Sequence, residues 1–555
     1  MEATLVTIVH ELFGIDIAVT TSRPEPQFGD FSTNVALQLA GRVGKPPREV
    51  AELIAAKLRE TNNYADVSVA GPGFINITLA DSTLLSALSA PAPSTESHTY
   101  VIEYSCPNAF KEFHTGHLYQ TIIGDIIARL VETAGHTVHR TSFGGDVGLH
   151  VAKCIWGMIA TLGGELPEKL ASVEATPFAR ARWISDCYVR GAGAYEESDE
   201  AKVVINELNK TIYSLHTQPD NQSAIAQLYW TTRQWSFDYF DAFYDVLHVD
   251  HMHYIPESET MPIGMDVVRE QLEKGNLKES EGAVVFEGDE TKHLHTRVFV
   301  TSKGLPTYET KDIGVIWLER RDYNFEKRIL ITGNDQQEYM RVVFAAAELF
   351  RPELTGEMTH LTNGTVRFGD GSKMSSRLGN VTRAIDVFNV VREKVSELVS
   401  DETLVDSVTL GAIKYVFAKY RLGGDISFDI DETISLAGNS GPYIQYAHAR
   451  ARSIVAKSTL EPSMPEDAAL DPAERNLVRK LGEYNDAVSR ATNELAPHHI
   501  CNYLFELAQE FNRFYELSRV IGHEREALRL WLVGRYADTL AAGLGLLGID
   551  APENM

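Results

Sequence analysis

Two short motifs contain the residues that could handle a nucleotide. The first is Phe113-His114-Thr115-Gly116-His117, and the second is Lys373-Met374-Ser375-Ser376-Arg377. Imidazoles and a lysine can donate hydrogen bonds to phosphate oxygens that gain negative charge during a reaction. Together the motifs favour an enzyme that uses ATP to adenylate a carboxylic acid.

The first motif is predicted to lie where a strand turns into a helix. Residues 99–105 read as a buried strand, and residues 118–130 have the apolar spacing of a helix. Backbone N–H groups and the helix dipole attract phosphate there, and Gly116 allows a base to approach the chain closely. Each motif alone is a weak signal, because paired histidines also stabilise turns or bind metal, and lysine–serine loops are usually solvated. Their order in one chain favours an ATP site.

A Walker-type phosphate loop is the main alternative motif for binding ATP. Residues 41–45 (Gly-Arg-Val-Gly-Lys) lack the earlier glycine of that motif and are followed by Pro46, so we interpret them as a turn between helices. Gly144 and Gly145 follow a second predicted strand at 137–142. They could let the backbone approach a nucleotide or substrate, or they could form a structural turn.

Length, charge and cysteine content limit the class of protein. A chain of 555 residues is expected to form several domains. The formal net charge of −26 argues against DNA binding or nonspecific nucleic-acid binding, so any RNA contact must be local. We find neither a long apolar run nor a secretory leader, which predicts a cytoplasmic protein that does not bind membranes. The four cysteines lack metal-binding spacing, so we expect neither disulfides nor structural zinc.

The pattern of elements predicts an α/β fold with smaller domains at both ends. A Rossmann-type parallel sheet is expected in the middle, after a Pro-rich linker. The predicted regions are an N-terminal α+β domain at 1–92, a catalytic domain at 93–160 and 246–345, a helical, aromatic-rich insertion at 161–245, a region with the lysine motif at 346–435, and a helical bundle at 436–555.

Longer motifs follow one another along nearly the whole chain. They lie at residues 28–34, 103–108 with Lys111, 307–314, 333–337, 438–447 and 511–516. Their sequences and order resemble those of the arginyl-tRNA synthetase family, within the class I aminoacyl-tRNA synthetases. The resemblance implies that 1–92 is an additional tRNA-binding domain, that 346–435 contacts the tRNA stem, and that 436–555 binds the anticodon.

The activity that the resemblance implies is that of an arginine–tRNA ligase. Such an enzyme activates L-arginine with ATP and Mg²⁺, usually once tRNA is bound, and transfers arginine to the 3′ terminal ribose of tRNA(Arg). A monomer is expected. Two alternatives stay open. One is another class I synthetase, of which the cysteinyl enzyme is nearest although its zinc-binding cysteines have no counterpart in this chain. The other is a noncatalytic tRNA-binding paralogue.

The resemblance also implies roles for individual residues. The expected catalytic residues are His114, His117, Lys373 and Lys111. The expected ATP-binding residues are His114, Gly116, His117, Lys373, Met374, Ser375 and Ser376. The expected arginine-binding residues are Glu103, Cys106, Asn108, His117, Tyr308, Asp312 and Gln336. The expected tRNA-binding residues are Phe28, Asn34, Tyr443, Tyr446, Phe514 and Tyr515, although core packing is the better interpretation for at least half of the C-terminal aromatics.

Elementary chemistry supports a pocket for arginine. A guanidinium group has five donors and a permanent charge, so it needs a carboxylate and neighbouring acceptors. Glu103 and Asp312 are the candidate carboxylates, although Asp312 alone would be read as a helix N-cap.

Two positions depart from the family pattern. Cys106 stands where the family has a second serine, and Ser376 stands where its Lys-Met-Ser-Lys-Ser loop has the second lysine. Either Lys111 or Arg377 could supply the missing positive charge, and Lys111 could equally be a solvated loop lysine.

Overall fold

The computed structural model describes residues 1–88, 96–218, 220–250, 252–368, 383–465 and 469–555. The lysine motif lies outside the described residues, and with it the positions predicted for ATP binding at Lys373, Met374, Ser375 and Ser376, as well as Arg377. Most of the Pro-rich linker, residues 89–95, also lies outside them.

Strands and helices alternate along much of the described chain. The strands are Phe31–Thr33 (β1), Tyr64–Ala70 (β2), Phe74–Leu79 (β3), Thr99–Glu103 (β4), Thr137–Gly144 (β5), His253–Pro256 (β6), Lys278–Ser280 (β7), Ala283–Phe286 (β8), Arg297–Val300 (β9), Lys327–Gly333 (β10), Met358–Asn363 (β11), Val366–Phe368 (β12) and Ile426–Phe428 (β13). The helices up to residue 350 are Glu2–Phe13 (α1), Val35–Val43 (α2), Pro47–Arg59 (α3), Asp81–Ala87 (α4), Thr115–Thr133 (α5), Leu149–Leu162 (α6), Pro177–Glu197 (α7), Asp199–Leu215 (α8), Ala224–Val246 (α9), Glu257–Glu273 (α10), Tyr308–Tyr323 (α11) and Gln337–Phe350 (α12).

The rest of the described chain is mainly helical. Its helices are Ala384–Leu398, Glu402–Ala418, Ile430–Thr433, Gly441–Ala456, Pro472–Leu481, Tyr484–Asn493, His498–Leu517 and Glu526–Leu546. Short 3-10 turns occupy Pro26–Phe28, Pro167–Ser172, Glu290–Lys292, Asn334–Gln336 and Pro352–Leu354. The helices beyond residue 440 agree with the predicted C-terminal helical bundle.

A five-stranded parallel sheet forms the centre of the chain. Its strand order is β11-β10-β4-β5-β6, and every neighbouring pair runs parallel. The carboxyl ends of all five strands therefore meet at one edge, where open α/β sheets bind their ligands. The predicted Rossmann-type sheet is confirmed, and so are the strand before the histidine motif (β4) and the helix after it (α5).

The N-terminal module has the predicted α+β composition. Its three strands form an antiparallel sheet in the order β1-β3-β2, packed with helices α1 to α3. Gly44 ends α2 with a left-handed φ of 71°, and α3 begins at Pro47. Residues 41–43 are therefore the last residues of α2, and the predicted turn between helices begins at Gly44.

Helix α9 supports the loop that leads into the histidine motif. The Phe113 N–H donates to the Tyr239 hydroxyl at 3.1 Å, and the Phe110 N–H donates to Ser236 Oγ at 3.0 Å. The buried Phe113 ring also stacks on Phe240 with a centroid distance of 5.2 Å. Hydrogen bonds and aromatic packing from the predicted aromatic-rich helices therefore fix the chain just before His114.

Helices α10 and α11 cross at very short range through two glycines. A Cβ atom at Gly264 would overlap the carbonyl oxygen of Thr310, and one at Gly314 would overlap the carbonyl oxygen of Thr260. This close approach sets the position of α11, which begins at Tyr308 and contains Asp312.

We expect Gly314→Ala to destabilise the fold by roughly 1–3 kcal/mol, because the added methyl group forces the two helices apart. Gly534→Ala is the matched control, since Gly534 is also helical but its Cβ would meet open space. Alanine there should be neutral or stabilising by up to about 1 kcal/mol. Urea unfolding of both variants measures the difference, and equal stability of the two would contradict the tight crossing.

Candidate active site

A cavity of about 810 Å³ opens at the carboxyl edge of the central sheet. It is lined by the ends of strands β4, β5, β10 and β11 and by the first turns of helices α5, α11 and α12. Nine of the predicted site residues line this one cavity: Glu103, Cys106, Asn108, His114, Gly116, His117, Tyr308, Asp312 and Gln336. Segments that are far apart in the sequence thus meet at one site.

The two histidines cap the N-terminus of α5 and each other. His114 Nδ1 accepts the backbone N–H groups of Gly116 at 3.1 Å and His117 at 3.3 Å. His117 Nδ1 in turn accepts the His114 N–H at 3.3 Å, and the two rings stack with centroids 3.7 Å apart. The rings are held as a rigid pair at the helix N-terminus.

This capping determines where the ring protons lie. Since each Nδ1 accepts hydrogen bonds, each neutral ring must carry its proton on Nε2. Burial lowers the pKa of His114, with a further contribution from Lys111, and burial lowers the pKa of His117 still more. At neutral pH both rings are therefore uncharged, and each has one Nε2–H donor that is not used by the helix cap.

Asp312 is a carboxylate whose hydrogen-bond partner is neutral. The Tyr339 hydroxyl donates to Asp312 Oδ2 across the gap between α12 and α11. Burial raises the pKa of Asp312 to about 7, although the hydrogen bond from Tyr339 opposes this shift. A cationic ligand placed in the cavity would favour the ionised form of this carboxylate.

Glu103 also lines the cavity, but its carboxylate forms an internal ion pair. Arg328 donates through Nη2 to Glu103 and through Nε to Glu319 at 2.7 Å, and all three side chains are buried. Thr141 Oγ1 completes the network by donating to Glu319 at 2.6 Å. The Glu103 carboxylate is thus already engaged by Arg328, which it shares with Glu319, and burial raises the pKa of Glu103 to about 8, so Glu103 is a weaker candidate than Asp312 for holding a guanidinium group.

A second internal ion pair lies on the α10 side of the cavity. Lys311 Nζ donates to Glu257 Oε2 at 2.6 Å, and both side chains are buried. Glu257 lines the cavity, whereas Lys311 precedes Asp312 on α11. Because the two opposite charges compensate each other, the α10 side contributes little net charge to the cavity.

The loop after β4 is held in an uncommon conformation. Ser105 and Cys106 have φ values of 69° and 49°, in the left-handed region. The Cys106 thiol donates to Glu103 Oε1 at 3.6 Å, and burial raises its pKa well above the usual value. The thiol therefore stays protonated and takes the place of the family's serine hydroxyl as a weak donor.

Gly144 and Gly145 meet this loop from β5. Asn108 Oδ1 accepts the Gly145 N–H at 2.9 Å, and a Cβ atom at Gly144 would overlap the Pro107 carbonyl oxygen. Both glycines also line the cavity. The close approach of two backbone segments explains the glycine at position 144, and the hydrogen bond from the Gly145 N–H fixes the Asn108 amide at the cavity wall.

Three other predicted residues lie around the site. Tyr308 stands at the mouth with 70% of its surface exposed, and Gln336 Nε2 donates to Asp335 at 3.2 Å. Lys111 does not line the cavity, and its Nζ lies 4.4 Å over the ring of Tyr188. Lys111 is nevertheless close enough to contribute to the lowered pKa of both motif histidines.

The described chain on either side of residues 369–382 lies at the cavity. Val366 of β12 lines it directly. Arg383 forms a β-bridge with His114, and the Ala384 N–H donates to the Phe113 carbonyl oxygen at 2.8 Å. The chain before this segment therefore reaches the cavity wall, and the chain after it is attached beside the histidine pair.

The residues predicted to contact RNA are mostly accessible. Phe28 and Asn34 are exposed on the N-terminal module, and Tyr446 and Tyr515 are exposed on the C-terminal helices. Tyr443 is half-buried, and its hydroxyl accepts a hydrogen bond from the Asn512 amide at 3.0 Å.

The prediction for Phe514 is wrong, because its side chain is fully buried. Phe514 and Tyr515 are neighbours on the helix His498–Leu517, so their side chains point about 100° apart around the helix axis. Phe514 faces the core beside Phe511, which leaves Tyr515 on the accessible side. A base cannot stack on Phe514.

Sequence reasoning missed four residues that shape the cavity: Arg328, Glu257, Lys311 and Tyr339. One signal was available for Tyr339, which lies three residues after Gln336 and therefore on the first turn of α12, the helix that Gln336 precedes. Lys311 is adjacent to Asp312, but nothing in the sequence pairs it with Glu257. Arg328 reaches Glu103 only through the pairing of β10 with β4.

Comparison with known proteins identifies the family of this chain. Residues 81–426 match the family tRNA synthetases class I (R), catalytic domain, residues 2–79 match the arginyl-tRNA synthetase N-terminal domain, and residues 444–555 match the DALR anticodon-binding domain. The chain belongs to the arginyl-tRNA synthetase family. The resemblance drawn from the motifs is confirmed.

Individual relatives agree with this assignment. The arginine–tRNA ligase of Thermobifida fusca is 33% identical over 95% of this chain and 94% of its own length, and that of Flavobacterium psychrophilum is 26% identical over 99% and 98%. The solved arginyl-tRNA synthetase of Thermus thermophilus covers 100% of this chain, which covers 99% of that structure, with a TM-score of 0.81 and 24% identity. At that identity the structural likeness establishes the fold.

Membrane-spanning helices and metal clusters are both absent from the described residues. No helix within them is long and apolar enough to cross a membrane. Across the same parts of the chain, no cluster of three or more His, Cys, Asp or Glu side chains is arranged to hold a metal ion.

Proposed function

We propose that this member of the family is an arginine–tRNA ligase, which forms arginyl-adenylate from L-arginine and ATP and transfers arginine to the 3′ terminal ribose of tRNA(Arg). The observation that carries the proposal is the single cavity in which the paired Nε2–H donors of His114 and His117 lie with the half-buried carboxylate of Asp312. The histidine donors suit a phosphate, and the Asp312 carboxylate suits a guanidinium group.

ATP is assigned to the α5 side of the cavity. A carboxylate oxygen of arginine attacks the α-phosphorus, the bond to the bridging oxygen breaks, and pyrophosphate leaves with Mg²⁺, which enters as part of the ATP complex. The Nε2–H groups of His114 and His117 donate to the phosphoryl oxygens as negative charge develops on them. Because both rings are neutral and fixed by the cap, they stabilise this charge as preorganised dipoles.

Arginine is assigned to the α11 side. Asp312 accepts from the guanidinium group, and Tyr308 covers it from the cavity mouth. Asn108 and Gln336 are placed to hold the amino and carboxylate groups of the substrate, with His117 next to them. Glu103 and Cys106 shape the floor of the pocket, since the Glu103 carboxylate already accepts a hydrogen bond from Arg328.

Lys373 is assigned to the phosphates. The described residues on either side of its segment support this assignment, because Val366 lines the cavity and Arg383 forms a β-bridge with His114. Lys111 or Arg377 supplies the second positive charge.

We assign tRNA binding to exposed residues of the N-terminal module and of the C-terminal helices. Phe28 and Asn34 lie on the N-terminal module, and Tyr443, Tyr446 and Tyr515 lie on the C-terminal helices. Exposed aromatic rings can stack on unpaired anticodon bases, which does not require the protein to be basic overall.

Pyrophosphate exchange with arginine, cysteine and glutamine tests the proposal, each with and without tRNA(Arg). We expect exchange with arginine only, and strongly increased by tRNA. Exchange with cysteine would favour another class I synthetase. No exchange with any of the three in the presence of tRNA would favour the noncatalytic paralogue.

A further inference from the structure

Tyr339 makes a contact that the proposed reaction does not itself use. It lies on the first turn of α12 and lines the cavity, and its hydroxyl donates to Asp312 Oδ2. Burial and the adjacent Asp312 raise the pKa of the Tyr339 phenol well above its usual value. The phenol therefore keeps its proton and acts as the donor throughout the working pH range.

The other charged groups around Asp312 are largely engaged elsewhere. Arg328 on β10 shares its charge between Glu103 of β4 and Glu319 of α11. On the remaining sides, Glu257 of α10 is paired with Lys311. Glu309 lies one turn before Asp312, and its Oε1 is 3.9 Å from Arg297 Nη1. The Tyr339 hydroxyl is thus the direct hydrogen-bond donor that faces this carboxylate.

We propose that Tyr339 is the positioning residue for arginine recognition: its hydroxyl holds Asp312 by Oδ2 and leaves Oδ1 to accept from the guanidinium group. This inference rests on the proposed function, because it names how that same pocket is prepared for its cationic substrate. Tyr339 acts through Asp312 and needs no contact of its own with arginine.

The role of Tyr339 depends on pH in a defined direction. Arginine binds to the ionised carboxylate, and Asp312 ionises as the pH rises through about 7. Without the hydroxyl donor the carboxylate is harder to ionise, so the same transition moves to higher pH. Arginine binding should then be impaired below the new transition and recover above it.

Tyr339→Phe tests this with little change in shape. The KM for arginine is measured between pH 6 and 8.5 by pyrophosphate exchange at saturating ATP and tRNA(Arg). For an upward shift of about one pH unit, we expect the KM to rise about tenfold at pH 6 and about fivefold at pH 7, and to stay within about twofold of the wild type at pH 8.5. The KM for ATP should not change.

Tyr323→Phe is the matched control, because Tyr323 is on the far end of α11 and stacks on His139 rather than lining the cavity. It should reproduce the wild-type profile. A KM for arginine that rises equally at every pH in Tyr339→Phe would indicate lost packing and overturn the inference, as would an unchanged profile. If the wild type shows no arginine-dependent exchange, the proposed function itself fails, which is a different result.

Thermal unfolding separates these outcomes from misfolding. Tyr339→Phe should melt within a few degrees of the wild type, and calorimetric titration with L-arginine alone at pH 6 and 8.5 should show the same recovery of affinity at the higher pH. Weak binding by a folded variant at both pH values would contradict the positioning role.

Discussion

His117→Ala is expected to slow the formation of arginyl-adenylate by at least about a hundredfold, with tRNA affinity nearly unchanged. Removing one preorganised donor from a developing oxyanion typically costs about 3–4 kcal/mol of barrier. His117 supplies such a donor, because its Nδ1 is occupied by the His114 N–H and its proton must lie on Nε2. Single-turnover kinetics with radiolabelled ATP measures the rate, and filter binding measures the affinity for tRNA.

The geometry adds a second loss in this variant. The two rings stack at 3.7 Å, so His117→Ala also removes a packing contact of the His114 ring, whose Nδ1 still accepts the backbone N–H groups of residues 116 and 117. His139→Ala is a suitable control, since His139 lies on β5 and stacks on Tyr323. It should leave adenylate formation within about twofold of the wild type. A near-normal rate in His117→Ala would remove the histidine pair from the mechanism.

Local signals in the sequence predicted the ATP side of the site well. The apolar run before the motif and the helical spacing after it depend only on neighbouring residues, and they correspond to β4 and α5. A strand-to-helix turn also determines that the motif lies at the carboxyl edge of the sheet. The mutual capping of the rings follows from a spacing of three residues, which is the spacing of a helix N-cap and its N3 position.

The electrostatics of the arginine side could not be predicted in this way. Glu103 and Asp312 are equivalent as candidate carboxylates in the sequence, yet Glu103 accepts from the Arg328 guanidinium and Asp312 accepts from a neutral tyrosine. The difference depends on the register of β10 against β4, where Arg328 pairs with Val101 and Leu330 with Glu103. Strand pairing between segments so distant in the chain leaves no local pattern.

The C-terminal aromatics illustrate a related limit. Composition marks residues 511–516 as suited to stacking, but whether a ring is accessible depends on which side of the helix faces its neighbours. Phe511 stacks on Tyr536 of the last helix at 3.8 Å, and this contact sets the buried side. Tyr515 lies at the edge of this side, 37% exposed and stacked on Phe511 one turn earlier, with the guanidinium of Arg450 4.8 Å from its ring. The residue that can meet RNA is therefore identified by helix packing.

Asp312→Asn is expected to reduce kcat/KM for arginine by about a hundredfold to a thousandfold. The amide keeps the shape of the side chain but removes the negative charge that matches a permanently charged guanidinium group. A charge-assisted hydrogen bond contributes about 1.5–3 kcal/mol, and the loss is larger when a desolvated cation is left without its partner. The effect should appear mainly in the KM for arginine, because the donors to ATP lie on α5.

The pH dependence of this variant provides an independent check. In the wild type the KM for arginine should fall as the pH rises through about 7, since only the ionised carboxylate binds the cation and burial raises the pKa of Asp312 to that value. Asparagine does not titrate, so Asp312→Asn should lose this step. Asp322→Asn removes a carboxylate from the exposed end of the same helix and should keep the wild-type profile. If Asp312→Asn retains both the wild-type KM and its pH step, another group must hold the guanidinium, and the α11 wall of the cavity loses its assigned role.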